Sequence, residues 1–592
     1  MLNPNNNRLN YGSILYPPNN YELDFAIGTT YSLDLDALVG SSISLGLSQE
    51  TDSNLRENPI FLLEALRSTS DKIALFCENG RIHYPNKPTQ LYILLEDIIF
   101  QANNPKEDNY SSFHPKFWLL RFIGEDENVI YRFIVLSRNL TFDRSWDVTF
   151  TMEGVKTDDK TNKNDALAKF IEYLIKYSTN DVKTNKMNEI IEELSYIQFN
   201  LDSKIFDDFE FIINGIGEEY SIQNQPLLTE NWDELFIMTP FLSKNVIKGF
   251  NSRNNKNSKA ILITREMSLC KLKPEDCSNF DVYKLKDVLI DGEDIVSDET
   301  QRILKQDIHA KMYLMESENE SEFYLGSLNA SHNAIYNNIE FMIKLTAKKK
   351  KFNVKNLADD IFNGQKEGID SPFELVDMNN IKPVPENDGK NLELIIKKMV
   401  RLNISGKVIS NEECYDIELN AENGSEDDFK EFDIKISPLL KPALLVDFSE
   451  SMSFEKLSKI QLSEFFVLNV FSNDNHIRRI VKIPLEGMPE DRQNEVMSSI
   501  IDDETAFIKY VAFLLGDEYI EIPPNDDGSG PTSPLGRHAV HLPTLYEKML
   551  KTANDAPEKF IELDFLIKTL SGDNVIPEGF EELYNTFIRV LD

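Results

Sequence analysis

Apolar runs along the chain recur in the same order in two places. One run leads into a turn of small hydroxyl residues at 24–30, and a similar run ends at 235–241. A second apolar run follows each of them, at 72–77 and at 259–264. Short runs rich in branched and aromatic residues predict buried strands. The repeated order predicts two related segments in one chain.

A histidine and a lysine two residues apart form the next repeated feature. His114 and Lys116 open one apolar run, and His309 and Lys311 open another. Because side chains alternate along a strand, this spacing predicts that each pair lies on one strand face. Each run is followed by a further apolar run that leads into Ser-x-Asn. The residues of these two tripeptides are Ser137, Arg138 and Asn139, and Ser327, Leu328 and Asn329.

The stretch between the two segments has the apolar period of amphipathic helices, most clearly at 166–175. Strands that alternate with helices predict an α/β architecture in each half. Short β-like runs follow a linker-like stretch at 376–390, and a loop at 523–531 precedes two helical runs. The predicted bounds are 1–205 for the first half with its connector, 206–375 for the second half, 391–485 for a β-rich domain and 486–592 for a mainly helical module.

The length and the charge restrict what the chain can bind. At 592 residues it exceeds what one hydrophobic core supports, which agrees with several domains. Its 62 Lys and Arg residues against 99 Asp and Glu residues give a formal net charge of −37. The electrostatic field of a protein with this net negative charge repels polyanions, so a nucleic-acid site requires a local basic groove. Four arginines are candidates for that groove, with solvation of a strand edge as the alternative: Arg121, Arg132, Arg138 and Arg144.

The sequence predicts a cytoplasmic protein without a membrane segment. No run approaches the roughly 18 consecutive apolar residues that span a bilayer, and the N-terminus lacks the regions of a signal peptide. The four cysteines are scattered, so we expect reduced thiols. His538 and His541 have no acid or cysteine at ligand spacing, so we expect no metal site there.

Two repeated histidines suit a two-step displacement at phosphorus. One imidazole attacks phosphorus and forms a phosphohistidine, while the other protonates the departing oxygen and then activates water. The lysines would neutralise the phosphoryl oxygens, and Asn amides and Ser hydroxyls would donate hydrogen bonds. This chemistry needs neither a metal ion nor a cofactor. The alternative, a packed histidine beside a solvent-reaching lysine, explains one His-x-Lys pair better than it explains the repetition.

The order of these residues in the second half resembles the phospholipase D superfamily, also called the HKD family. The matching residues are His309, Lys311, Gly326, Ser327, Asn329 and Glu340. The first half resembles the motif less closely because no glycine precedes its serine. Its matching residues are His114, Lys116, Ser137 and Asn139. Asp147 could take the place of the trailing acid.

This chain departs from the family pattern at the aspartate that names the HKD motif. That residue falls five positions after the lysine, where this chain has Arg121 and Glu316. Tyrosyl-DNA phosphodiesterases, a branch of the superfamily, also lack it and retain activity, so the resemblance points away from the lipid-cleaving members. The resemblance covers residues 20–345. Beyond residue 390 there is a loose similarity to C-terminal regions of bacterial phospholipase D-like proteins in defence gene neighbourhoods.

The resemblance implies two pseudo-symmetric α/β/α halves with one active site between them. It also implies that His114 attacks and that His309 is the general acid, an order that the residues alone do not establish. A carboxylate bonded to an imidazole fixes its tautomer, which is the candidate role of Asp147 and Glu340. A salt bridge to Arg144 is the alternative for Asp147. The other expected site residues bind the phosphate or contact the substrate, and they are Lys116, Lys311, Asn139, Asn329, Ser137, Ser327 and Arg138.

Together these expectations describe a metal-independent phosphodiesterase that cleaves nucleic acid, expected to be a DNA nuclease in antiphage defence. Cleavage of DNA ends or of phospholipid is one alternative. The other is a DNA-binding subunit that works with a partner ATPase or helicase. The C-terminal region would then be the partner surface, because an acidic β-rich domain would hold DNA poorly. The choice between DNA and RNA, the strandedness of the substrate and the oligomeric state stay open.

Overall fold

A computed structural model describes the chain in segments. They are residues 11–46, 59–106, 111–142, 145–201, 204–286, 307–363, 371–382, 392–412, 414–422, 429, 431–472, 475–515, 542–555, 559–571, 575–577 and 579–591. Arg144, His538, His541 and the predicted loop at 523–531 lie outside these segments.

The first part of the chain combines strands and helices, as its mixed apolar patterns predict. The strands are β1 (Tyr21–Thr30), β2 (Ile73–Glu78), β3 (Ile82–His83), β4 (Ile99–Ala102), β5 (Phe117–Gly124), β6 (Val129–Leu136), β7 (Ser145–Trp146), β8 (Thr149–Lys156) and β9 (Ile197–Asn200). The helices are α1 (Leu35–Gly46), α2 (Pro59–Thr69), α3 (Asp165–Ile175) and α4 (Asp181–Leu194), with 3-10 turns at Ser70–Lys72 and Gln90–Leu95.

The second part has the same mixture. Its strands are β10 (Asp208–Asn214), β11 (Trp232–Met238), β12 (Asn254–Thr264), β13 (Phe280–Leu285), β14 (Asp307–Ile308), β15 (Met312–Glu316), β16 (Glu320–Gly326), β17 (Glu340–Lys348) and β18 (Phe373–Leu375). Its helices are α5 (Pro226–Thr229), α6 (Lys244–Ser252), α7 (Glu266–Leu269), α8 (His332–Tyr336) and α9 (Val354–Asn363), with 3-10 turns at Ile222–Asn224, Pro274–Cys277 and Met378–Asn380.

These strands form two mixed sheets, and the strand order of the first corresponds to that of the second read in reverse. One sheet has the order β4-β2-β1-β5-β6-β8-β9, and the other has the order β10-β17-β16-β15-β11-β12-β13-β18. In the first sheet β1, β2 and β4 are parallel, and in the second β11, β12 and β13 are parallel. β5 pairs antiparallel with β1, as β15 does with β11. The mixed α/β class predicted from the sequence is confirmed.

The His-x-Lys pairs lie just before strands and not on them. β5 begins at Phe117 and β15 begins at Met312, so both pairs occupy irregular backbone. The prediction that strand alternation orients each pair is therefore wrong. Backbone contacts between the two halves hold these segments instead. Phe113 forms a parallel bridge with Ile339, and β7 pairs with β14 directly before His309.

The two sheets share one hydrophobic core. Ring centroids are 4.7 Å apart for Phe117 and Phe341 and 4.8 Å apart for Phe133 and Phe211, so rings from both sheets interdigitate. Phe170 of α3 lies in the same cluster. Burial of large aromatic side chains supplies much of the apolar area that stabilises such a contact. The core therefore fixes the two His-x-Lys segments relative to each other.

The stretch predicted to be β-rich begins with a helix, α10 (Leu392–Met399), and continues as strands. They are β19 (Asn403–Ser410), β20 (Tyr415–Glu422), β21 (Asp433–Pro438), β22 (Val446–Asp447), β23 (Ser451–Leu457), β24 (Phe465–Ser472), β25 (Asn475–Lys482) and β26 (Leu485–Glu486), with a 3-10 turn at Lys459–Gln461. One sheet has the order β23-β20-β19-β26 and the other β22-β21-β24-β25-β3. Because β3 belongs to the first part, this stretch and the first half share a sheet.

Further helices follow, namely α11 (Arg492–Ile500), α12 (Glu504–Leu514), α13 (Leu542–Asp555), α14 (Lys559–Leu570) and α15 (Phe580–Leu591). Phe507 of α12 lies in the same hydrophobic cluster as Phe61 of α2. Arg67 of α2 forms an ion pair with Glu562 of α14 over 3.2 Å. The core of these helices is thus continuous with that of the first half, and the module bounds 486–592 stay a prediction. No helix in the described segments is long and apolar enough to cross a membrane.

Candidate active site

The two His-x-Lys segments meet between the sheets, and each is held by the backbone of the opposite half. The His114 amide donates to the Ile339 carbonyl over 2.9 Å. The His309 amide donates to the Trp146 carbonyl over 2.8 Å. The charge of Lys116 also acts on His309. Residues far apart in the sequence therefore form a single site.

A buried carboxylate joins the two halves through His114. Glu340 is 1% exposed and accepts a hydrogen bond from His114 Nδ1 over 2.9 Å. Because a carboxylate only accepts, the contact holds the proton on Nδ1 and leaves the Nε2 lone pair free. The Ser327 hydroxyl donates to the same carboxylate oxygen, and Asn338 Nδ2 donates to the other over 2.9 Å. The trailing acid of the second half thus orients the histidine of the first.

Burial keeps both imidazoles neutral at neutral pH. Desolvation lowers the pKa of His114 to about 4, although the Glu340 carboxylate acts in the opposite direction. Desolvation lowers the pKa of His309 to about 2, and the positive charges of Lys311 and Arg265 act in the same direction. Each ring therefore keeps a nitrogen lone pair, which a nucleophile or a base requires.

Two lysine side chains are buried beside the histidines. Lys116 and Lys311 are 1% and 2% exposed, and each donates to the carbonyl of its own histidine, over 2.9 and 2.7 Å. Burial, together with the charge of Lys311, holds the pKa of Lys116 well below its usual range. Burial lowers the pKa of Lys311 to about 8. Two amines held together in a dry site form a preorganised place for an anion, which favours their charged forms.

His309 differs from His114 because none of the described carboxylates binds its ring. Its Nδ1 is buried and has no hydrogen-bond partner among the residues that the structure describes. Asp147 accepts instead from the hydroxyls of Ser137 and Ser145, over 3.3 and 2.8 Å. Desolvation raises the pKa of its carboxyl. The prediction that Asp147 orients an imidazole does not hold in this structure, because hydroxyl groups occupy its oxygens.

The two motif serines support the framework of the site. Both are fully buried. Ser137 Oγ accepts from the Val148 amide over 2.9 Å, and Ser327 Oγ accepts from the Phe341 amide over 3.0 Å. Their expected role in contacting the substrate is therefore replaced by bonds inside the protein. Asn139 has a buried Oδ1 without a hydrogen-bond partner in the described segments. Its amide group is therefore less constrained than that of Asn329, whose Oδ1 accepts from Thr239.

A threonine near the end of β1 and another just after β11 fix the adjacent Ser-x-Asn turns. Thr30 Oγ1 accepts from the Leu140 amide over 2.9 Å, and Thr239 Oγ1 accepts from the Ala330 amide over 3.2 Å. Thr239 also donates to Asn329 Oδ1 over 3.4 Å. The sequence pattern marked the first of these as part of a hydroxyl-rich turn, but it assigned a role to neither.

Arg138 and Arg265 are two arginines beside the site. Arg138 lies 3.9 Å from the Asp147 carboxylate and donates to the Thr141 carbonyl over 2.6 Å. Arg265 donates to the Ile308 carbonyl, over 3.1 Å from Nε and 2.9 Å from Nη2. Arg265 was not predicted from the sequence, because its approach to His309 is a tertiary contact and no motif surrounds it.

Arg121 and Arg132 do not contribute to the predicted basic groove. Arg121 is 5% exposed and donates to Glu193 over 2.9 Å. Arg132 donates to Glu153 over 2.6 Å and to the Tyr16 carbonyl, also over 2.6 Å. Both guanidinium groups are used inside the first half, so the basic character of the site comes from other residues.

Tyr31 is a further site residue that the sequence analysis missed. Its ring centroid lies 5.1 Å from that of His114, and the Lys116 ammonium lies 5.7 Å from the same ring. The Arg81 guanidinium lies 5.1 Å from it. Burial raises the pKa of Tyr31 to about 12. The protonated phenol therefore packs as a wall of the site beside the imidazole.

This arrangement suits bond cleavage at an anionic phosphorus centre. It combines a neutral imidazole oriented by a carboxylate, a second neutral imidazole and two buried amines that an anion would charge. Within the described segments, no group of three or more His, Cys, Asp or Glu side chains is arranged to hold a metal ion.

Comparison with known proteins gives remote structural similarities. No protein-family model and no curated protein matches the chain. Among solved structures, yeast tyrosyl-DNA phosphodiesterase is similar with a TM-score of 0.34 and 13% identity, covering 57% of this chain and 85% of that one. Polyphosphate kinase from Porphyromonas gingivalis has a TM-score of 0.33 and 13% identity, covering 65% and 49%. Phosphatidylserine synthase from Haemophilus influenzae Rd KW20 has a TM-score of 0.35 and 10% identity, covering 65% and 94%. Similarities this low assign no activity.

Gly326 is required where β16 ends. Its φ is +149°, and a Cβ there would lie 2.4 Å from the Phe341 carbonyl oxygen. Gly326→Ala should displace Ser327 and Glu340 and lower the free energy of unfolding by about 3 kcal/mol. Gly40→Ala is the matched control, because open space surrounds its Cβ in α1. It should raise that free energy by about 0.5–1 kcal/mol. Denaturant unfolding measures both, and equal stability of Gly326→Ala and wild type would contradict the argument.

Proposed function

We propose that this chain is a phosphodiesterase that cleaves nucleic acid through a phosphohistidine, without a metal ion. The observation that carries the proposal is the bond from His114 to Glu340 beside Lys116 and Lys311. A neutral ring with its proton held on Nδ1 presents Nε2 as a nucleophile. The two ammonium groups, whose charged forms a bound phosphate would favour, supply the positive charge that stabilises phosphoryl oxygens in the transition state.

The proposed reaction has two displacements. In the first, the Nε2–P bond to His114 forms, the P–O bond to the leaving group breaks, and His309 gives that oxygen a proton. In the second, His309 takes a proton from water as the water oxygen attacks phosphorus and the Nε2–P bond breaks. His309 is neutral in the empty site, so it must take up its proton when phosphate binds. A bound anion favours this because it raises the pKa of a neighbouring imidazole.

The difference between the two histidines supports His114 as the nucleophile. Its ring is fixed in one tautomer by Glu340, whereas Nδ1 of His309 has no partner in the described segments. A carboxylate also stabilises positive charge on the imidazole after attack. An unpartnered ring can change its protonation state more freely, as a group that alternates between acid and base must.

We further propose that the two sheets are pseudo-symmetric, phospholipase D-like halves. Their corresponding strand orders support this. The crosswise backbone bonds at His114 and His309 and the equivalent contacts of Thr30 and Thr239 are further support. The departure is Asp147, which lacks the imidazole contact that Glu340 makes.

Nucleic acid is the proposed substrate class. A chain of net charge −37 can hold such a polyanion only where cationic side chains are concentrated. Lys116, Lys311, Arg138 and Arg265 provide such a place. The same chemistry would serve DNA ends or phospholipid, which makes their cleavage the second candidate. Antiphage defence, a partner ATPase or helicase at the C-terminal region and a cytoplasmic location stay predictions from the sequence.

The main test incubates wild type, His114→Ala and His309→Ala with plasmid and single-stranded DNA in EDTA. Wild type should cleave, and each variant should be slower by about 10³-fold. Acid-labile phosphate should be trapped on wild type and not on His114→Ala. Full activity in either variant would overturn the two-histidine mechanism.

The same proteins separate the alternatives. Release of tyrosine or choline from a phosphodiester while plasmid stays intact would indicate DNA ends or phospholipid. Function in cells that survives loss of both histidines would indicate a DNA-binding subunit.

The carboxylates of the two halves should differ in importance. Glu340→Gln offers an N–H in place of an acceptor, so we expect kcat to fall by about 100-fold. Asp147→Asn should lower kcat by less than about 10-fold, because Asp147 contacts hydroxyls and not an imidazole. Steady-state kinetics on the DNA substrate measures both, and equal losses would show that the halves are functionally equivalent.

The activity should have an alkaline limit near pH 8. In the free enzyme burial lowers the pKa of Lys311 to about 8, so the side chain loses its charge as the pH rises through that value. kcat/KM reports the free enzyme. Because His309 takes up a proton as phosphate binds, kcat/KM should already fall as the pH rises, and the fall should become steeper above about pH 8. On the acid side it should fall as His114 becomes protonated near pH 4. A profile of kcat/KM that stays level to pH 10 would contradict the role of Lys311.

A further inference from the structure

Helix α10 lies against the segment that precedes His114. The Lys397 ammonium donates to the Ser111 carbonyl and, over 3.3 Å, to the Ser112 hydroxyl. It also lies 3.6 Å from the Glu78 carboxylate. Lys397 is 9% exposed, so these groups take the place of water around its charge.

Glu78 connects this lysine to the backbone beside the histidine. It ends β2, is 4% exposed and accepts a hydrogen bond from the Phe113 amide over 2.6 Å. Burial raises the pKa of its carboxyl to about 7, and the Lys397 ammonium opposes that rise. Lys397 therefore favours the charged carboxylate, which binds the Phe113 amide more strongly than a neutral acid would.

A second set of bonds leads from the same segment to the carboxylate that orients His114. The Ser112 amide donates to Asn338 Oδ1 over 3.0 Å, and Asn338 Nδ2 donates to Glu340 over 2.9 Å. The Ser112 carbonyl accepts from the Ile339 amide over 2.9 Å. A shift of Ser112 would therefore move both the imidazole and its carboxylate.

Contacts at both ends of α10 hold the helix in this place. Glu393 forms ion pairs with Arg81 and with Arg479 of β25. Asn79 Nδ2 donates to the Val400 carbonyl over 3.1 Å. The turn after β2 is thus bonded to the beginning and to the end of the helix.

We propose that Lys397 is a positioning residue for His114, supplied to the site by the β-rich stretch. It acts through Glu78 and the backbone of 111–113, and it touches neither the imidazole nor the reacting phosphorus. That backbone is irregular, so these side-chain contacts help to set its position. The inference rests on the proposed phosphodiesterase function. It gives the β-rich stretch a part in catalysis, where the sequence predicted only a partner surface.

The test compares Lys397→Met with Lys398→Met in the full-length protein. Both replace a lysine of α10 by an uncharged chain of similar length, and Lys398 makes none of the bonds described above. Lys397→Met should lower kcat on the DNA substrate by about 10- to 100-fold and leave KM unchanged, because misplaced reacting groups slow the chemical step. Lys397→Arg should recover part of the loss, and Lys398→Met should match wild type.

A readout that does not need turnover is the rate at which diethyl pyrocarbonate modifies His114 relative to His309, followed by peptide mass spectrometry. Release of the 111–113 segment should raise that ratio severalfold in Lys397→Met and leave it unchanged in Lys398→Met. If wild type cleaves no phosphodiester but the ratio rises, the positioning role stands and the proposed function fails.

Thermal unfolding of each variant shows whether it is folded. Lys397→Met leaves Glu78 without its cation, so the double variant Glu78→Gln/Lys397→Met, which buries no unpaired charge, is measured in parallel. Reduced kcat and raised labelling in each of these two variants that folds would support the proposal. Wild-type kcat and a wild-type labelling ratio in a folded Lys397→Met or double variant would overturn it.

Discussion

The hydrogen bond from His114 to Glu340 requires two distant parts of the chain to be held so that Nδ1 lies 2.9 Å from the carboxylate oxygen. An imidazole and a carboxylate buried at such a place are costly unless they satisfy each other. The contact therefore depends on the aromatic core between the sheets, which holds β5 and β17 in fixed positions relative to each other. Phe117 and Phe341, whose rings touch, follow directly in the chain from the segments that carry Lys116 and Glu340.

Burial also explains the electrostatic character of the site. The same desolvation that keeps the imidazoles neutral makes the ammonium groups of Lys116 and Lys311 unfavourable without an anion. A phosphate between them would favour their charged forms and raise the pKa of His309 at the same time. Phosphate binding and protonation of His309 would then occur together, because the bound anion stabilises the positive charges that burial disfavours in the empty site.

The chain beyond the two sheets is tied closely to the first half. β3 extends a sheet of the β-rich stretch, α10 contacts the segment before His114, and the last helices share the core of α2. A histidine pair built on irregular backbone needs support from several directions, since a strand ladder does not fix it. The β-rich stretch and the last helices provide part of that support, and a partner that moved α10 would reach the site through the same bonds.

The order of motifs along the chain was sufficient to predict the α/β class, the two histidine–lysine pairs and the strands around them, because hydrophobic period and residue spacing are local properties. These strands are β1, β2, β5 and β6 in one sheet and β11, β12, β15 and β16 in the other. Which carboxylate meets which imidazole is not local. Glu340 lies in one half and serves His114 in the other, while Asp147, which occupies the matching place in the sequence, bonds to serines. Arg265, Tyr31 and Lys397 carried no motif for the same reason. The sequence by itself determined the chemical groups of the site, and only the tertiary structure decided their partners, because the packing of two sheets and the β-rich stretch sets distances that residue spacing does not encode.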